Sequence, residues 1–354
     1  MKIRLAILEQ DSTYLKRIVA TFNIKYADKL ELYTFTEMEP MLAELKNSRI
    51  DVLLSTERFE IDVNALPDRC SLAYLVEEQG VDSYRNQPAI CKYQKADLIY
   101  KQILGLYAEN AADITGFSIE GNSCRVISFI SVGGGCGSST VSVACARRMA
   151  AKGKRVLYLN LEKFGDTDLY FQGEGQADFS DIIYALRNQR ANLKLKLESS
   201  IRQDASGVFF FASAKIALDV TELKVEDINR LVMETGNSGL YDYIVIDADF
   251  GLDKLSLAIW RGANHVILVA DGEEASNRKI QRMYQSLQIL EKKDEGLRLS
   301  KLAVFYNKFS NKTGNKLSGI DVLELGGGPR YEHATVDMVV EQLAQNELWD
   351  RVCN

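Results

Sequence analysis

The chain has 354 residues, 46% hydrophobic and 26% charged, a globular composition with room for two or three domains. Its 43 Lys and Arg against 49 Asp and Glu give a formal net charge of −6, which argues against a general nucleic-acid or anionic-membrane surface. The first residues carry too short an apolar core for a signal peptide, and no run approaches the ~20 apolar residues that cross a bilayer, so a cytoplasmic protein without a transmembrane segment is expected. The six cysteines form no C-x-x-C pair, and His265 and His333, the two histidines, sit near none of them; free thiols are expected rather than a zinc site.

Residues 1–110 read as five short strands, at 3–8, 30–34, 52–54, 72–76 and 89–92, alternating with helices at 12–24, 38–45 and 96–108. The last helix carries Leu98, Ile99, Ile103, Leu104 and Leu106 as a buried stripe. Alternation of this kind predicts an α/β unit whose parallel sheet is covered on both faces. In order and length it resembles the flavodoxin-like receiver domain of two-component signalling. The receiver chemistry is absent from the positions that carry it. Val52-Leu53-Leu54 runs into Ser55 where a phosphoacceptor aspartate would stand, and the acidic pair after the first strand is reduced to Gln10-Asp11. Lys92 falls where receivers place a lysine, with nothing there for it to serve. The expectation is a degenerate receiver used for docking or dimerisation.

Apolar periodicity is lost from 108 to 124, where Gly116, Gly121, Asn122 and Ser123 mark a boundary. The predicted organisation is a receiver-like domain at 1–110, a linker at 111–124 and a second domain at 125–354. That domain opens with Val126-Ile127-Ser128-Phe129-Ile130, a strand-length run, then Gly133-Gly134-Gly135-Cys136-Gly137-Ser138-Ser139-Thr140, then a helical pattern from 141 to 151. Strand, glycine turn and helix N-terminus together make a phosphate-binding layout, because glycines let backbone N–H groups converge on an anion at the positive end of the helix. Against the pattern G-x-x-x-x-G-K-[ST], Val132 replaces the first glycine and Ser138 the lysine; Gly137 and Ser139 are retained. A tight turn with no ligand is the competing reading, and Cys136 is a packing residue by default.

Further strands are expected at 155–161, 208–211, 243–247, 265–270 and 301–306. The run Tyr243-Ile244-Val245-Ile246-Asp247 delivers a carboxylate to the carboxyl end of a strand, where open α/β sheets bind ligands. This resembles a Walker B segment, whose aspartate holds magnesium directly or through water. The alternative is that Asp247 caps the following helix.

The order of these features, with Asn160-Leu161-Glu162, Tyr306-Asn307-Lys308-Phe309 and Gly328-Pro329-Arg330-Tyr331, resembles the MinD/ParA P-loop ATPases, whose fold has a mostly parallel sheet. A receiver-like front end joined to such an ATPase resembles the TadZ/CpaE proteins of Tad (Flp) pilus assembly. The resemblance implies ATP and Mg2+ as ligands. Gly134, Gly135, Cys136, Gly137, Ser138, Ser139 and Thr140 would wrap the phosphates, with Ser139 and Asp247 serving the magnesium, the latter in its outer sphere. Glu162 takes the place of the second carboxylate of the family's D-x-D, which positions the attacking water. Asn307 would read the adenine, with Pro329 and Arg330 flanking it.

Members of the wider family carry two loop lysines, and Gly133 and Ser138 stand in their places. Each lost charge-assisted hydrogen bond is worth about 1.5–3 kcal/mol, so binding is expected to survive on loop amides and magnesium while hydrolysis becomes weak or absent. Lys163 is read as an exposed loop charge. Arg187, Arg190, Lys194 and Lys196 on a helical segment, and Lys308, Lys312 and Lys316 on a loop, are read as solvated charges rather than a DNA surface. The acidic 336–354 tail lacks the basic face of a membrane-targeting helix and is expected to pack through Val339, Val340, Leu343, Leu348 and Trp349. The resulting expectation is an ATP-stabilised homodimer that positions other Tad assembly proteins, at the cell pole or the inner membrane face, with any membrane association peripheral and through partners. An active ATPase cycling between monomer and dimer, and a DNA-partition or transcription regulator, are the alternatives.

Overall fold

A computed structural model describes residues 2–48, 50–67, 70–110, 124–188, 192–294 and 297–352, and the structural statements below are made of those residues. They divide into two units, Met1–Gly116 with Arg187–Ser200, and Phe117–Leu186 with Ile201–Asn354. The linker expected at 111–124 lies, Cys124 apart, outside the described residues.

The first unit runs β1 (Ile3–Leu8), α1 (Ser12–Lys25), β2 (Leu30–Phe35), α2 (Met38–Asn47), β3 (Val52–Thr56), β4 (Ser71–Val76), β5 (Ser83–Tyr84), β6 (Gln87–Cys91) and α3 (Ala96–Asn110). Its sheet has the order β2-β1-β3-β4-β6-β5 and is parallel except where β5 pairs with β6. Every residue of β3 and β4 is buried, as strands covered on both faces must be. Ile7, Phe22, Leu54 and Ile103 belong to one core cluster, and Leu8, Met41, Leu53 and Tyr74 to another. The five predicted parallel strands are all present. The extra strand β5 is a hairpin closed by Arg85 and Asn86 at φ 49 and 59, two successive positive values that match the right-handed twist of a two-residue turn.

One expectation for this unit is corrected. Lys92 has a partner: its Nζ lies 2.6 Å from Glu9 Oε2, with side-chain exposures of 9% and 3%, and 5.5 Å from the Tyr14 ring centroid. The carboxylate at this edge is therefore Glu9, directly after β1, while Asp11 is engaged in capping α1 through the Thr13 and Tyr14 amides. Ser55, where a phosphoacceptor would sit, is wholly buried.

The chain continues with β7 (Arg125–Ile130), α4 (Ser138–Ala151), β8 (Val156–Asn160), α5 (Phe179–Arg187), α6 (Leu193–Ser200), β9 (Arg202–Gln203), β10 (Phe209–Phe210), α7 (Ala217–Thr221), α8 (Val225–Asn237), β11 (Tyr243–Asp247), α9 (Lys254–Gly262), β12 (His265–Ala270), α10 (Glu274–Glu291), β13 (Leu302–Phe309), β14 (Leu323–Pro329), α11 (Val336–Ala344) and α12 (Trp349–Val352). Helix α6 groups with the first unit and packs along α3. The second sheet has the order β14-β13-β12-β7-β11-β8-β10-β9, parallel except between β9 and β10. From β7 the chain winds first toward β8 and β10, then back through β11 to β12 and β13 on the other side. The carboxyl end of β7 is thus the point where the winding reverses, and the crevice of a doubly wound sheet opens there.

Three sequence readings change along this stretch of the chain. Lys308 lies in β13 rather than on a loop, and β14 was not foreseen because its Gly326-Gly327-Gly328 core carries no strand signal. The basic helical segment resolves into Arg187 at the end of α5 and Lys194 and Lys196 on α6; Arg190 lies outside the described residues. The tail packs as expected: Val340, Leu343 and Trp349 are buried, and Trp349 stacks on Phe305 with ring centroids 4.7 Å apart.

Removing Lys92 alone leaves Glu9 charged and buried. Lys92→Met is expected to destabilise the first unit by about 3–5 kcal/mol, and Glu9→Gln combined with Lys92→Met to recover most of that loss. Urea unfolding of the two variants beside the wild type measures both; equal midpoints for single and double variants would refute the pairing.

Candidate phosphate-binding site

Strand β7 ends at Ile130, and the chain crosses Ser131 to Gly137 before α4 begins at Ser138. Gly135 and Gly137 adopt φ 83 and 81, the left-handed region that glycine enters at little cost. At Gly137, the N-cap of α4, a Cβ would also stand 2.5 Å from Asn307 Nδ2, so backbone and amide meet where no side chain fits. Cβ atoms on Gly134 and Gly135 would meet nothing within 4 Å, so the loop has open space beside it. Cys136 is 1% exposed, with Sγ 3.5 Å from Asp271 Oδ2. Burial pushes its thiol up, and only its backbone is available to a ligand.

Asp247 does not cap α9. That role belongs to Asp253, which accepts from the Leu255 and Ser256 amides. Asp247 instead ends β11 beside Phe129 of β7 and Asn160 of β8, fully buried. Its Oδ2 accepts from the Tyr158 hydroxyl at 2.9 Å, while Oδ1 is buried with no partner. Burial, and then the nearby Glu162 carboxylate, push its pKa up to about 7. Glu162 is raised as well, first by burial, and its Oε2 accepts from Ser139 Oγ at 3.0 Å. Asn160 shapes this turn: its Oδ1 accepts from the Glu162 amide at 2.9 Å. Lys163 is exposed, as expected.

Asn307 is 2% exposed; its Nδ2 donates to the Cys136 carbonyl at 2.8 Å, and its Oδ1 has no partner. Pro329 lies opposite Phe309 on the neighbouring strand, and Arg330 follows it; both are exposed. Thr140 is half-buried on the first turn of α4. The fold therefore brings the loop, Glu162, Asp247 and Asn307 to one edge of the sheet. Sequence reasoning missed Tyr158 and Ser142, whose Oγ is 3.4 Å from the Tyr158 hydroxyl. A tyrosine inside an apolar strand carries no signal beyond core packing.

The residues fit a phosphate group with a divalent cation. Ser138 Oγ, Asp247 Oδ1 and Asn307 Oδ1 are all buried and unmatched, which is costly unless a ligand supplies partners. Among the described residues no cluster of three or more His, Cys, Asp or Glu is placed to hold a metal unaided, so a cation here would share phosphate oxygens and water with Ser139 and Asp247.

The raised pKa of Asp247 has a definite sign for stability. Ionisation of Asp247 costs the folded state nothing below the ordinary value of 3.8, and the penalty grows with pH until it is complete above about 7. Asp247→Asn is therefore expected to melt at a higher temperature than the wild type at pH 8 without nucleotide or divalent ions, with the advantage vanishing toward pH 4. Melting curves across that range in a chelator test this.

Comparison with known proteins agrees with the α/β fold of the chain. Residues 1–108 match the family model for a TadZ-like receiver domain, and residues 124–299 match one for an AAA domain. No curated protein gives a match. Among solved structures, a ParA family ATPase from Chlorobium tepidum is 19% identical with a TM-score of 0.53, covering 66% of this chain and 97% of its own. A chain of the MinC:MinD cell division protein complex from Aquifex aeolicus is 19% identical with a TM-score of 0.51, covering 64% and 95%. At such identity the likeness is one of fold. The chain therefore joins a TadZ-like receiver domain, residues 1–108, to an AAA domain, residues 124–299, whose fold is that of the ParA and MinD structures.

Proposed function

We propose that this chain is an ATP-binding positioning and scaffold factor for Tad (Flp) pilus assembly, in which Mg-ATP acts as a structural ligand that stabilises a homodimer. The observation that carries the reading is the set of buried, unmatched atoms around the glycine loop: Ser138 Oγ, Asp247 Oδ1 and Asn307 Oδ1. Loop amides and the α4 N-terminus would take the phosphates, Ser139 and Asp247 would serve the cation, and the Asn307 acceptor would face the base with Pro329 and Arg330 beside it. Bound Mg2+ would neutralise the phosphates and the crowded Asp247 and Glu162 carboxylates. Weak turnover follows from Gly133 and Ser138, which leave the loop without the lysines that stabilise a transferring phosphoryl group.

Dimerisation is supported by Phe164, two residues beyond Glu162 and 87% exposed, an aromatic at the rim of the site available to a second copy. A cytoplasmic protein held at the pole or the inner membrane face by its partners fits a chain in which no described helix is long and apolar enough to cross a membrane. The self-paired Glu9 and Lys92 suit a receiver unit that docks rather than signals.

Calorimetry with Mg-ATP is expected to give a dissociation constant on the order of micromolar, weakened at least about tenfold in Asp247→Ala. Light scattering should show a dimer with ATP that is lost in the variant. No binding at millimolar ATP would overturn the reading. Rapid phosphate release that disappears in Glu162→Ala would favour the cycling ATPase.

A further inference from the structure

A loop without lysines must draw its affinity from backbone amides, and amides help only if they already point at the anion. Two successive side chains outside the loop fix that orientation. Lys308 Nζ donates to the Gly135 carbonyl at 2.8 Å, and Asn307 Nδ2 donates to the Cys136 carbonyl at 2.8 Å. In a trans peptide the C=O of one residue and the N–H of the next point in opposite directions. Holding the carbonyls of Gly135 and Cys136 on the β13 side therefore turns the amides of Cys136 and Gly137 the other way. The positive φ values of Gly135 and Gly137 permit this turn, and a Cβ on Gly137 would stand 3.6 Å from Lys308 Cε.

The backbone at the end of β13 is built for the same contact. Its pairing with β14 shifts register between Tyr306 and Phe309, and Lys308 sits at φ 57, a left-handed value uncommon for a residue that is neither Gly nor Asn. Strain of this kind persists where the surroundings require it. A regular strand would send Asn307 and Lys308 to opposite faces of the sheet; here both side chains reach the loop. Because Lys308 binds a carbonyl, its ammonium lies on the side of the loop that the converging amides face away from. It acts on phosphate through the loop.

We propose that Lys308 is a positioning residue which, with Asn307, clasps the glycine loop by two consecutive carbonyls and preorganises its amides as an anion-binding nest, replacing by rigidity what the loop lacks in charge. The assignment rests on the nucleotide reading above and deepens it.

The test uses the full-length protein as wild type, Lys308→Met, Lys308→Arg and Lys308→Asn, the last keeping a residue that tolerates the left-handed backbone. Amide order parameters of Cys136 and Gly137, measured without ligand on deuterated protein, should sit near the rigid value of about 0.85 in the wild type and fall toward about 0.6 in Lys308→Met and Lys308→Asn. Lys308→Arg, which can still donate to the carbonyl, should restore most of the order. Affinities for Mg-ADP and Mg-ATP should fall by the same factor, about tenfold, in Lys308→Met and Lys308→Asn. Unchanged order parameters would overturn the clasp. A loss much larger for ATP than for ADP would overturn it in favour of direct contact with the outer phosphate. An ordered wild-type loop that loosens in Lys308→Met while the wild type binds neither nucleotide would leave the clasp standing and overturn the nucleotide reading.

Discussion

A carboxylate with no access to water sets the terms for the second unit. Asp247 is fully buried, one oxygen bonded to Tyr158 and the other unmatched, with Glu162 raising the local charge further. Burying a charge in this way is unfavourable unless a cation or a proton compensates. Everything nearby limits that cost without removing it. Tyr158 supplies one hydrogen bond, Ser139 takes Glu162, and the α4 N-terminus directs its positive end toward the loop. The unit is left with an edge that an anion and a divalent cation together would complete.

The first unit meets the same physical problem and solves it internally. Glu9 follows β1 at the carboxyl edge of its own parallel sheet, and Lys92 reaches it at 2.6 Å from just beyond β6. That carboxylate is compensated within the chain by a buried lysine, and Ser55, where a phosphoacceptor would stand, is buried. The two sheets thus carry related edges with opposite outcomes, one closed by its own ion pair and one open.

On the proposed reading, this difference assigns ligand chemistry to the second unit and leaves surface recognition to the first. Replacing the loop lysines with Gly133 and Ser138 removes charge that would act in a transferring phosphoryl group, whereas the Asn307 and Lys308 contacts act on loop shape. Binding and turnover would then depend on different features, and a site can keep the first while losing most of the second. Such a balance suits a nucleotide that holds an assembly together more than one that is consumed.

Much of this was legible in the sequence, because apolar runs and glycine turns are local. The strands at Ile3–Leu8, Tyr243–Asp247 and His265–Ala270 could be read residue for residue, since strands buried on both faces are nearly continuous apolar runs. The glycine turn before α4 and the buried Trp349 of the tail were legible locally too, from composition and apolar spacing. What the tertiary structure alone decided is which distant residues meet. Glu9 and Lys92 are 83 positions apart, Tyr158 and Asp247 are 89, and Lys308 and Gly135 are 173. Each pair is made by parallel strands bringing their carboxyl ends to one edge, and sequence spacing carries no trace of that register. The left-handed bend at Lys308 and the strand Leu323–Pro329 were hidden too, because both are imposed by neighbours rather than by the residues' own preferences.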